Sequence, residues 1–307
     1  MTEIARDRIG GSAATIALLG AGVACAASAM VVSKIIAAGA PPFLATFLRL
    51  LIAAPLLCAL AWPARASLKD VPPRDWTLLI FQSALGMVAF GTFLLFGLRY
   101  VAASDASVVL GTLPLVMAAL GHLLYGERAT PRLLVAIGLA SAGGLLVVGG
   151  GDGSGMEGRR LLGFALIGCA VLSEALFLTM NRSLRHPIPA LPLSAVLAVV
   201  GIGLAAVAAA VEAVVVGTYW PTPPVLWAIL AYAFVPTVLG LWLWYEGSAR
   251  ASVAQSALAI ALLPIVSLTL SAAILGEAIG VTQIFGCLAV VAALLLAALP
   301  LRKAKPE

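Results

Sequence analysis

Charge is what this chain has least of. Only 10% of its 307 residues are Asp, Glu, Lys or Arg, against about 25% in an ordinary soluble domain. Histidines number two, and the four cysteines, Cys25, Cys58, Cys169 and Cys287, all sit in apolar runs without metal-ligand spacing. They read as inert buried thiols, so no metal site is expected. There is no Ser/His/Asp set and no phosphate-binding loop, which argues against a hydrolase and against a pump driven by its own ATP hydrolysis. No cofactor is expected. Long polar loops are scarce as well, so a membrane enzyme would have little on which to gather catalytic groups at one face. The net charge of +5 is not a nucleic-acid footprint, because basic residues between apolar runs mark the cytoplasmic side of a membrane.

Apolar side chains fill the space that charge leaves. They make up 63% of the chain, and mean hydropathy is +1.12. No water-soluble fold hides so much, so the solvent for most of it is lipid. Ten spans are expected, at about 13–38, 43–61, 76–98, 105–125, 133–148, 161–181, 193–216, 225–245, 252–275 and 279–299. The first contains an Ala-x-Ala stretch but is far longer than the roughly 7–15 residues of a signal-peptide core. It is read as a retained span. Tyr219 and Trp220 mark a membrane interface.

Ten spans put both termini on one side. Thirteen of the 18 Lys and Arg then fall on that side and three on the other, with Lys34 and Arg49 inside spans. The bias assigns the termini to the cytoplasm. The expected setting is a bacterial inner membrane, with lipid and a small solute as partners and the protein as a monomer.

Two landmarks recur at one offset. Pro114 and Pro264 lie 150 positions apart, and so do Gly126-Glu127 and Gly276-Glu277. This argues for a duplication, with one copy in residues 1–152 and the other in 153–307 across the Gly-rich linker. Each copy holds five spans, an odd number, so the second enters the membrane inverted. Inverted repeats around a central cavity are the construction of alternating-access carriers.

Several residues are candidates for the transport path. Pro114 and Pro264 each remove a backbone donor in mid-span and are expected to kink the helix. Gly111 leaves room beside the first kink, and Leu113 projects from it. Arg49 and Glu174 are charged well inside spans, where a charge is costly and faces a cavity or a partner. An amino acid is a zwitterion, so Glu174, with Ser173 beside it, is expected to hold the ammonium, and Arg49 or Lys34 the carboxylate. Pairing with backbone carbonyls is the competing reading for Arg49. Phe90 and Trp242 hold nearly equivalent places in spans three and eight and suit bulky apolar side chains, with packing or lipid contact as the alternative. His122 is read as an interface histidine, Asp105 as a helix N-cap and Glu212 as a helix-end charge. Glu127 and Glu277 end helices, where the macrodipole disfavours an anion. A compensating partner and a structural or gating role are expected for both.

These residues resemble a known family. Ser104-Asp105-Ala106-Ser107, Leu113-Pro114, Gly126-Glu127, Gly138 and Ala142-Gly143 are similar to the EamA signature of the drug/metabolite transporter superfamily. Ala254, Leu263-Pro264, Leu275-Gly276-Glu277, Gln283 and Gly286 repeat it, and Arg49 matches the family's span-two arginine. The resemblance implies an all-α integral membrane fold, ten helices in two inverted five-helix repeats around a central cavity. Within the superfamily the chain is most similar to YddG-type exporters, which implies export of neutral and aromatic amino acids. Another metabolite or a cationic drug is the alternative substrate. A membrane enzyme or a scaffold that transports nothing is the alternative class.

Overall fold

A computed structural model describes residues 13–69, 71–126, 130–149, 157–217 and 219–298. Among these residues the structure is helical throughout, without a strand. We number the helical rods in chain order. Rods 1 and 2 are Ala13–Gly39 and Pro42–Ala61, rods 3 and 4 are Pro73–Gly97 and Ala103–Tyr125, and rod 5 is Pro131–Gly149. Rods 6, 7 and 8 are Glu157–Met180, Ala190–Val216 and Pro223–Ser248. Rod 9 is the pair Val253–Ala261 and Leu263–Leu275, and rod 10 is Val281–Ala298. Nine stretches of the described residues are long and apolar enough to cross a membrane, and the tenth, Val281–Ala297, is apolar but shorter.

Each expected span has its rod, and several starts move toward the N-terminus. Proline is the reason. Pro42, Pro73, Pro131 and Pro223 each stand in the first turn of a helix rather than in the turn before it. There the absent amide costs nothing, and φ is already set for the helix. The boundary at residues 152 and 153, Glu127, and the basic residues of both tails lie outside the described residues.

The offset of 150 recurs in backbone detail. Rods 3 and 8 both widen into a π-helical turn, at Ser83–Ala89 and Ala233–Leu239, again 150 positions apart. In each, an amide reaches back five residues: Phe90 to the Leu85 carbonyl and Gly240 to the Val235 carbonyl. Rods 4 and 9 both break in the middle, at Gly111-Thr112 and at Leu262. Both end on a left-handed glycine, Gly126 at φ 67° and Gly276 at φ 68°, whose amides close a 5→1 bond to His122 and Ala272.

Packing follows the same symmetry. Rod 1 packs on rods 8 and 9, and rod 6 on rods 3 and 4, while rod 2 packs on rod 7 and rod 5 on rod 10. These pairs interchange when rods 1–5 are swapped with rods 6–10. Glycines permit the closest approaches. A Cβ on Gly22 would stand 3.1 Å from the Trp244 backbone, and one on Gly143 would stand 2.7 Å from the Gly286 carbonyl. The outer surface carries large apolar side chains, among them Val214, Val216, Leu123 and Trp227, as a lipid-facing surface requires.

Candidate functional site

Polar side chains gather at three levels of this bundle. The inner level surrounds Arg49, which is buried in rod 2. Its guanidinium donates to the Met87 carbonyl at 2.9 Å and lies 4.6 Å over the Tyr232 ring. Met87 belongs to the π-helical turn of rod 3, where the regular carbonyl ladder is interrupted and an acceptor is free to turn toward a side chain. Gly91 clears the approach, since a Cβ there would stand 3.2 Å from an Arg49 nitrogen. Glu174 lies in the last two turns of rod 6. It is half-buried and makes no hydrogen bond or ion pair among the described residues. It feels the charge of Arg49 without touching it, and the hydroxyl of Tyr245 lies in its field. That hydroxyl is 3.3 Å from Ser194 Oγ.

The outer level is on the face where rods 1, 3, 5, 7 and 9 end, here termed the far face. Lys34 Nζ donates to the carbonyls of Leu98 and Val101 at 2.7 and 2.6 Å. Arg99 donates to Ala37 and Ala40 at 3.2 and 2.9 Å. Glu212 accepts from the amides of Phe43 and Leu44 at 3.0 and 3.1 Å. Glu277 accepts from the amides of Ala103 and Ser104, both at 2.8 Å. Asp105 accepts from Arg160 at 3.3 Å and from Gln283 at 2.7 Å. Lys34, Arg99 and Tyr219 line a cleft of about 370 Å³ at this face.

The opposite, near face is tied differently. Asp75 accepts from the amides of Arg185 and His186, both at 3.0 Å, and Gln82 donates to Asn181. The Tyr125 hydroxyl lies 2.8 Å from Ser183 Oγ. These bonds join rods 3 and 4 to the end of rod 6 and the segment after it.

The sequence candidates distribute unevenly over this frame. Arg49 and Glu174 share the inner level, and buried Ser173 stands beside Glu174. Lys34 belongs to the far face, away from Glu174. Phe90 packs against the main core, and Trp242 is 39% exposed. Gly111 leaves no open space: a Cβ would stand 2.9 Å from Val290 and 3.2 Å from Pro264. It lies against rods 9 and 10. Pro114 and Pro264 do not kink continuous helices. Each sits in the first turn of a new one, with half-buried Leu113 and Leu263 opening the two segments. Thr112 bridges the first break through its hydroxyl, which donates to the Val109 carbonyl at 2.6 Å. Asp105 is not the N-cap; Ala102 is, and Asp105 lies within the first turn. Glu212 caps rod 2 rather than ending its own helix idly. His122 is exposed, and Glu127 lies outside the described residues.

Sequence reasoning passed over Tyr232, Tyr245, Ser194 and Arg160. Arg160 was the one with a signal, because the expected ten-span topology leaves few cations on its side.

A multi-pass bundle with a charged interior and an apolar exterior defines a helical membrane transporter by class. The chain belongs to the EamA-like transporter family, whose model matches residues 13–149 and 161–299. It is 31% identical over 263 residues to the uncharacterized transporter YetK of Bacillus subtilis (strain 168), covering 84% of this chain and 79% of that one. It is 26% identical over 227 residues to the uncharacterized transporter YyaM of the same organism, covering 71% and 72%. A solved crystal structure superposes with a TM-score of 0.64 at 21% identity, covering 94% of this chain and 97% of that chain. That likeness shows the fold.

Proposed function

We propose that this protein is an inner-membrane carrier that exports neutral and aromatic amino acids by alternating access. The observation that carries the reading is Glu174, a carboxylate within a membrane rod that has no bonded partner among the described residues. A charge in such a place costs about 2.5–3.5 kcal/mol or more unless something answers it. A substrate ammonium answers it. Arg49, whose charge reaches Glu174 without contact, suits the carboxylate of the same zwitterion. Two inverted five-rod copies, residues 1–152 and 153–307, supply the moving parts. Packing supports this reading. The first half of rod 4 packs on the second half of rod 9, toward the far face, whereas at the near face Leu113–Tyr125 packs on rods 5 and 6 and Val253–Ala261 on rods 1 and 10. With the termini cytoplasmic, this is the arrangement of an inward-facing state.

The test is uptake of a radiolabelled panel into liposomes holding the purified protein. Tryptophan, phenylalanine, leucine and threonine are expected to move, and a proton gradient separates exchange from facilitated diffusion. If no neutral amino acid moves, the substrate is wrong. Movement of a cationic drug alone would favour the second reading, in which Glu174 holds a substrate cation without a carboxylate partner.

A further inference from the structure

Rod 4 begins without a cap of its own. Its N-cap is Ala102, which has no side chain able to accept from the first amides. The repeat-related start, rod 9, caps itself: Ser252 Oγ accepts from the Gln255 amide at 3.2 Å, and Gln255 Oε1 accepts from the Ser252 amide at 2.9 Å. For rod 4 the cap comes from the other copy. Glu277, just past the left-handed Gly276 that ends rod 9, accepts from both Ala103 and Ser104. An anion at a helix N-terminus gains from the aligned peptide dipoles as well as from the two bonds. It also relieves the unfavourable placement of Glu277 after the C-terminus of its own helix.

The surroundings complete the fastening. Lys34 feels the charges of both Glu277 and Asp105 while its ammonium holds the turn between rods 3 and 4. Asp105, in the first turn of rod 4, is joined to rod 6 by Arg160 and to rod 10 by Gln283. Two carboxylates and two cations therefore meet at the place where rods 4 and 9 converge.

We propose that Glu277 is a gate residue: its two-amide bond holds the far face closed and is released each time that face opens. The proposal rests on the alternating-access reading above. The bond suits repeated release, because it lies at a span end, where water can take over both amides once the carboxylate leaves. In the state described here the start of rod 9 needs no such partner, because Ser252 and Gln255 cap it from within.

Two reporters test this in a background with the native cysteines replaced. Ser107→Cys reports the far half of rod 4, and Ser256→Cys the near half of rod 9. Each is read as its rate of reaction with a soluble maleimide in lipid nanodiscs. Glu277→Gln and Glu277→Ala are expected to raise the Ser107→Cys rate about fivefold or more and to lower the Ser256→Cys rate. Unchanged rates at both reporters would overturn the gate. Rates raised at both would also overturn it, since general loosening is what a merely structural bond predicts. Uptake of the amino-acid panel by the parent protein is measured separately. Failure of the gate then leaves the carrier standing, and failure of the amino-acid substrates leaves a reciprocal labelling shift intact.

Discussion

Arg49 keeps its charge inside the bundle without a carboxylate in contact. Three features make that tolerable: the Met87 carbonyl, the face of Tyr232, and the space opened by Gly91. A desolvated cation–π contact is worth about 2 kcal/mol, and a lysine reproduces neither the planar stacking nor the fork of donors. Arg49→Lys is therefore expected to lower the unfolding midpoint in detergent, and Arg49→Ala to lower it further by leaving Met87 unpaired, at about 1–3 kcal/mol. A wild-type midpoint for both would remove the structural role. Glu174 has the opposite profile, because nothing in the described structure depends on its charge. Glu174→Gln should fold and insert normally while transport falls by about tenfold, the loss of one charge-assisted hydrogen bond. Wild-type flux in that variant would take Glu174 out of the path.

Among the elements, the π-helical turns set where the rods can touch. The first holds Gly86 against the ring of Phe177 in rod 6, where a Cβ would come within 2.5–2.8 Å of three ring atoms. Gly86→Ala should cost about 1–3 kcal/mol through overpacking. Phe177→Leu should recover part of that loss in the double variant, because the two sites share one contact. Strictly additive losses in thermal unfolding would contradict the close packing. The second turn contains Pro236 and is stabilised by Thr237 Oγ1, which donates to the Tyr232 carbonyl at 2.9 Å. The two copies thus reach one backbone shape by different means, glycine against a ring in one and proline in the other.

For the molecule as a whole, the decisive quantity is which face meets the cytoplasm. With native cysteines replaced, Tyr219→Cys is expected to react with an impermeant maleimide added to intact cells, and Ala64→Cys only after the membrane is opened. Both positions are exposed, on the far and near faces respectively. The reverse labelling pattern would turn the proposed orientation, and with it the direction of export, upside down.

Composition and periodic landmarks alone determined that this chain lives in lipid, where its helices run, and that its landmarks recur at an offset of 150. These follow from hydropathy and from residues with strong local preferences: proline at helix starts, and glycine at a positive φ. The in-span charges Arg49 and Glu174 were equally legible, because a charge in an apolar run stands out. Their partners were not. Nothing local joins Glu277 to the amides of Ala103 and Ser104, Asp105 to Gln283, or Arg49 to a carbonyl turned aside by a π-helical turn. Those bonds link residues 38 to 178 positions apart. Only the packing of rod against rod, within a copy and between the two, decides which polar groups are close enough to meet.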